Sequence, residues 1–302
     1  MELLKELCSI HATSGDESAM TLFVLQYIEK NQFRWKRKPQ VIAGENFQES
    51  IILVFGKPKT AMFAHLDSHG FTARYEDQLV PIGHPVLEDG IQLWGVDSQG
   101  SIECTLHKGE EMLHYKGSRS IDRGTPLAYR PDFRETDESV QCCYLDNRLG
   151  VYVALQVAET LENGIIAFSC REEHGGGSTS FLARYIYNEL SVKQTLICDI
   201  TWVTEGVVHG EGVAISCRDS GLPRRSYVKR IVELAKKSGI PFQLEVEGAG
   251  GSDGNELQKT PYPMDWCFVG APESNVHSPD ELVFKRDIDS MIAMYRYLMK
   301  EL

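Results

Sequence analysis

The chain is short of several things that would assign a protein to a class before any motif is read. Lys and Arg number 31 against 43 Asp and Glu, a formal net charge of −12. There is no basic surplus to neutralise phosphates, so no nucleic-acid partner is expected. Lys36-Arg37-Lys38 is a short basic cluster that reads as a solvated turn. No apolar run approaches the roughly 20 residues of a membrane span, and Met1 to Glu6 lacks the apolar stretch of a signal peptide. The expected address is the cytoplasm, with no membrane partner. None of the eight cysteines forms a CxxC pair, which removes the usual spacing of a thiolate zinc site and argues against a disulfide framework. They read as reduced core thiols. Internal repeats and low-complexity segments are also missing. What remains is an ordinary globular composition, 42% hydrophobic and 25% charged over 302 residues, enough for one large α/β domain with an insert or for two domains.

Apolar spacing predicts a short opening helix through Leu3, Leu4, Leu7 and Ile10. Ser14 with Glu17 reads as a capping box before a second helix that carries Met20, Phe23, Val24, Tyr27 and Ile28 on one core-facing side. Strands are expected at Ile51 to Phe55 and Thr60 to Ala64. Between about Gly70 and Val140 helical periodicity gives way to short alternating runs broken by Gly, Pro and Asp, the texture of a small β-barrel inserted in an α/β chain. Histidines 84, 107 and 114 within it have no matching carboxylates in sequence and read as surface or loop residues. Leu149, Val153, Val157 and Leu161 mark a helix starting just after Asp146. Further strands are expected at Ile165 to Cys170, Thr195 to Cys198 (ending at Asp199), Val213 to Cys217 and Trp266 to Val269. Ser178 opens one helix and Tyr227 to Ala235 marks another that stops near Gly239. Gly248 to Gly254 and Gly270 to Pro272 read as loops, and Val283 to Leu302 as a final helix with its cap.

The chemistry centres on Glu172-Glu173, two adjacent carboxylates after a strand, followed by His174 and three glycines. Enclosed carboxylates that repel one another need cations, donors or a shared proton nearby. Ligand-type residues recur where other strands end: His65 and Asp67, Asp199, and His277. In open α/β sheets such positions converge at the carboxyl ends of the strands, and Asp146 joins them from a helix start. Two histidines with several carboxylates suit borderline divalent ions, zinc, cobalt or manganese, better than calcium. Two such divalent metal ions would supply the cationic charge, with Glu173 a ligand and Glu172 a general base; the alternative open to the residues alone is a pair of solvated loop acids.

In order along the chain, Ala64-His65-Leu66-Asp67 with Gly70-Phe71, Leu145-Asp146-Asn147-Arg148-Leu149-Gly150, Glu172-Glu173, Asp199, Gly239 to Gln243, Gly251-Ser252-Asp253 and His277-Ser278-Pro279-Asp280-Glu281 resemble the dinuclear metallo-aminopeptidases of the tetrahedral-aminopeptidase and glutamyl-aminopeptidase type. The resemblance implies a three-layer α/β/α zinc-peptidase catalytic domain, residues 1–69 and 140–302, interrupted by a small β-barrel domain, residues 70–139. It implies that His65, Asp146 and Asp199 hold one metal and Asp146, Glu173 and His277 the other, with Asp146 as the bridge. Asp67 would orient His65. Glu172 would take a proton from the attacking water and return it to the leaving amine. The implied activity is removal of N-terminal residues from short peptides by a homo-oligomer.

The chain departs from the family pattern in places. The insert is short, with 81 positions separating His65 from Asp146, which bears on assembly size. Ser68-His69 replaces the usual Glu and aliphatic pair, and Ser274-Asn275 replaces a common Arg-Tyr pair; both bear on substrate choice. His174 interrupts the familiar Glu-Val-Gly pattern. Competing readings are a related metal-dependent deacylase, a non-catalytic binding or assembly protein on the same fold, and a two-carboxylate sugar hydrolase. The last leaves His65 and His277 without a role.

Overall fold

A computed structural model describes residues 1–302. Its centre is an 11-stranded mixed sheet in which four neighbouring strands, Gly164–Ser169, Ala61–His65, Gln194–Trp202 and Asp265–Ser274, run parallel. Their near-continuous apolar sequences follow from burial on both faces. Side chains alternate across a strand. Met62, Ile166, Phe168, Leu196, Cys267 and Val269 therefore join the larger core, while Ala61, Phe63, Ile165, Ala167, Ile197, Trp266 and Phe268 join a smaller one on the other face. Helices Leu145–Ala158 and Lys285–Glu301 cover the first face, and Thr179–Asn188 and Asp253–Lys259 the second, completing three layers. Ile51–Phe55 and Gln40–Ile42 extend the sheet antiparallel at one side. No helix is long and apolar enough to cross a membrane.

The alternating segment closes into a six-stranded antiparallel barrel of Gly70–Ala73, Gln78–Ile82, Leu113–Gly117, Gly100–Lys108, Gln92–Asp97 and Pro126–Tyr129. The chain then re-enters the large sheet through Arg134–Glu135 and Ser139–Gln141. Eight unpaired cysteines, seven of them buried, match the reading as core thiols.

Several local expectations fail for identifiable tertiary reasons. The second helix starts at Ser18 with no side-chain cap. Ser14 instead donates to Asp67, and Glu17 accepts from the main-chain N–H groups of Gly15 and Arg171. Asp199 lies inside its strand, because Ile200, Thr201 and Trp202 continue pairing with Ala271, Pro272 and Glu273. The same pairing turns the expected Gly270 to Pro272 loop into strand. The end of the glycine-rich stretch is a helix start: Ser252 and Asn255 form a capping box on Asp253–Lys259, satisfying first-turn N–H groups that the glycine run concealed. His107 and His114 lie on barrel strands and face Asp89 and Asp77 at 3.1 and 3.0 Å.

Candidate active site

The four parallel strands end at one side of the sheet, and the expected residues gather there. His65 closes its strand and places Nε2 3.2 Å from Asp146 Oδ1 and 3.5 Å from Asp199 Oδ2. His277, in the turn after Asp265–Ser274, places Nε2 3.3 Å from both Asp146 Oδ2 and Glu173 Oε2. Two groups able to hold a metal ion result, His65 with Asp146 and Asp199, and Asp146 with Glu173 and His277. Asp146 belongs to both because its two oxygens face opposite histidines. It sits in a non-helical first turn of Leu145–Ala158, which frees its side chain from the helix direction. Glu172 stands outside both groups, its Oε2 3.9 Å from His65 Nε2.

Asp67 is fully buried behind this cluster. Its main-chain oxygen and Oδ1 lie 3.1 and 3.5 Å from His65 Nδ1, an arrangement that orients the imidazole. Its carboxylate also accepts from the N–H groups of Glu172 and Glu173 at 3.0 and 3.1 Å and from the Ser14 hydroxyl. One side chain thus aligns the histidine and the turn carrying both glutamates. Burial works against ionising Asp67, yet His65 and the donors keep its carboxyl below the ordinary range.

Sequence reading missed further groups that hold the site in place. Glu281 is fully buried and accepts from the main-chain N–H groups of His277 and Asp146 at 2.9 and 3.2 Å. Arg148, also buried, donates to the carbonyls of Leu66, Asp67 and Ala12 and so clamps the segment after His65. Both stood in quoted motifs without a role, and no sequence signal separates a buried carboxylate from a solvated one. His69 packs its ring 5.0 Å from that of His277 and 5.1 Å from those of Tyr129 and Tyr144, which stack on each other. His84 is an exposed loop residue, as expected, and also lines the site cavity, where its carbonyl accepts from His277 Nδ1 at 3.0 Å. His174 is exposed and accepts from the Gly83 N–H at 3.0 Å, tying the glutamate turn to the barrel.

The cluster is short of positive charge. Burial raises Asp199 to about 7 and Glu173 to about 8, with Asp146 adding to both. Burial also pushes Glu172 well above the usual carboxylate range. Burial would lower the histidines, but the carboxylates win, raising His277 to about 10 through Glu173 and Asp146 and lifting His65 through Asp199 and Asp146. Glu173 Oε1 is buried without a partner, as are both carboxylate oxygens of Glu273. This donor set and its unmet charge suit divalent cations.

A pH effect follows for the metal-free chain. Between about pH 7 and 8 the fold retains protons on Glu173 and on His277, and up to about pH 10 on His277 alone, that the unfolded chain has already released, since unperturbed Glu and His titrate near 4.3 and 6.5. The folded state binds more protons there, so stability falls as pH rises. His69, which burial holds neutral, acts in the opposite sense only below the unperturbed histidine range. The melting temperature of chelated protein is expected to drop across this window, and zinc to flatten the slope; melting curves at several pH values check it, and a rising trend in chelator contradicts it.

A sequence profile of the M42 glutamyl aminopeptidase family matches residues 101–294, well over half of the chain. The chain belongs to the M42 glutamyl aminopeptidase family. A protein of Acetivibrio thermocellus that carries an aminopeptidase name is 28% identical to it, with 97% of this chain and 96% of that one covered. The fold is also that of the Pyrococcus horikoshii TET1 peptidase, with a TM-score of 0.85 at 20% identity, covering 100% of this chain and 99% of the other. An aminopeptidase from Desulfurococcus kamchatkensis likewise gives a TM-score of 0.85 at 19% identity, covering 100% and 94%. The Pyrococcus protein is described as assembling into a tetrahedron or a large octahedral shell. Within the M42 chain, the profile match includes Asp146, Glu172, Glu173, Asp199 and His277, while His65 and Asp67 precede it.

Proposed function

We propose that the protein is a metal-dependent aminopeptidase that removes N-terminal residues from short peptides and works as a homo-oligomer in the cytoplasm. The observation that carries this reading is the sharing of Asp146 between two ligand groups while Glu172 stays outside both, beside His65. His65, Asp146 and Asp199 would hold one divalent ion, and Asp146, Glu173 and His277 a second. When bound, such ions act as Lewis acids that polarise a peptide carbonyl and acidify water. Glu172 Oε2 takes the proton of the attacking water and passes it to the nitrogen of the leaving amine. Asp67 keeps the Glu172 turn and the His65 ring in register throughout, and Glu281 does the same for Asp146 and His277. The enclosed acidic surroundings favour a free, protonated α-amine, which limits cleavage to the first residue. Zinc is the simplest ion for this donor set, with cobalt and manganese as substitutes. The unpaired cysteines favour a reducing compartment.

The test combines metal analysis with peptide digestion. The reconstituted protein is expected to bind roughly two divalent ions per chain and to shorten unblocked peptides one residue at a time, leaving N-acetylated copies intact. Release of acetate from the blocked copies would favour a deacylase instead. Full metal loading without cleavage of any peptide would favour a binding role.

A further inference from the structure

The cavity that exposes the metal-binding cluster continues past it. Its volume is about 370 Å³, and beyond Asp199 its far wall is made by Trp202, Asp219, Glu245, Glu247, Glu256 and Lys259. This end is strongly acidic. Lys259, the one Lys or Arg that lines the cavity, is committed to Glu256 at 2.6 Å. Arg218, next to Asp219, donates its Nε to the Asp219 main-chain carbonyl. Glu245 and Asp219 are 3% and 8% exposed, so both carboxylates are almost wholly removed from bulk water while facing the cavity. Glu245 accepts from the Thr201 hydroxyl, and Asp219 from the Gly221 N–H at 2.6 Å. These donors are neutral; Arg218 offsets part of the charge on Asp219 while Glu245 has no cation acting on it, and burial raises both carboxyls. Taking a carboxylate out of water without a cation is costly, which makes this wall a receptor for positive charge.

The spacing sets the size of the cation. Asp199 and Thr201 are two residues apart on one strand and share a face. Their separation is about 7 Å, and Glu245 sits on the Thr201 hydroxyl. A long side chain that starts beside the metal-binding cluster therefore brings its charged end to Glu245 and Asp219. Trp202 also lines the cavity, with the edge of its ring beside Gly250; an aromatic group in the lining is a favourable neighbour for an ammonium or guanidinium group. A glutamyl side chain, which the family's description would suggest, meets like charge instead.

We propose that this end of the cavity is the subsite for the first side chain of the substrate, and that the preferred substrates are peptides beginning with lysine or arginine. The inference rests on the aminopeptidase reading above, but its test separates the two. On metal-reconstituted protein, kcat/KM for lysyl-p-nitroanilide is expected to exceed that for the norleucyl and glutamyl analogues by at least about tenfold. Asp219→Asn and Glu245→Gln are expected to shrink the lysyl-to-norleucyl ratio. Calorimetry with L-lysinamide and L-norleucinamide provides a readout that needs no turnover; tighter binding of lysinamide supports the subsite even if no peptide is cut, in which case only the aminopeptidase reading fails. Equal or better turnover of norleucyl or glutamyl substrates, or equal binding of the two amides, overturns the subsite and leaves the aminopeptidase reading standing.

Discussion

Replacing Glu172 with Gln is expected to lower kcat on an unblocked peptide by roughly 10²- to 10⁴-fold while the bound metal content stays as in the parent protein. The substitution keeps shape and main chain, including the Glu172 N–H that Asp67 accepts at 3.0 Å. It removes a carboxylate that lies beside His65 Nε2 and belongs to neither ligand group. A carboxamide cannot take the proton of water or return it to an amine, so the loss should appear in kcat, with KM little changed. Steady-state kinetics alongside elemental analysis of the same preparation checks this. A variant retaining half of the parent kcat would remove Glu172 from the chemistry, and one that loses its metal would make it a ligand. The raised carboxyl of Glu172 reflects burial first, then its acidic neighbours. A cation beside it would bring that value down toward the range in which a general base works.

Asp146→Asn should have a larger effect on metal than any other single change at the site. Asp146 Oδ1 faces His65 at 3.2 Å and Oδ2 faces His277 at 3.3 Å, so one neutralised side chain weakens both groups. Burial opposes its ionisation, but His277 and His65 together hold the carboxyl well below the usual carboxylate range. It is therefore the member of the cluster most firmly kept as an anion. Losing a direct ligand should cost more than the 10- to 100-fold in affinity typical of supporting residues, so more than about 100-fold is expected. Activity should fall with occupancy. Asp199→Asn, by contrast, touches only the His65 group. Competitive chelator titration followed by elemental analysis distinguishes the two variants. If Asp146→Asn keeps its full metal content, the shared-ligand arrangement is wrong.

The clearest sequence signals were those carried by local periodicity. Apolar runs before His65, Glu172 and Asp199 predict strands, and those strands exist because two cores bury their alternating faces. The alternating segment after Gly70 predicts a barrel, and the barrel is closed. The failures have a common form. Ser14 and Glu17 satisfy a capping pattern on paper but bind partners 53 and 154 positions away. The residues after Asp199, Ile200-Thr201-Trp202, are themselves strand formers, but the expected strand stops at Asp199, and it is pairing with Asp265–Ser274 that carries it on to Trp202. His84 gives no hint of facing the site until the barrel brings Gly83 within reach of His174.

The order of motifs along the chain determined the family resemblance, and that resemblance implied the two sets of residues, His65, Asp146 and Asp199 and Asp146, Glu173 and His277, whose ligand-type atoms the fold brings close together. The tertiary structure alone decided that Asp146 presents one oxygen to each histidine, that a single Asp67 aligns both His65 and the glutamate turn, and that Glu281 is enclosed. It also decided that Asp219 and Glu245 share a cavity with Asp199. Those facts depend on burial and on distances between residues remote in sequence, and a carboxylate becomes a ligand, a base or a receptor only through what the fold removes from water around it.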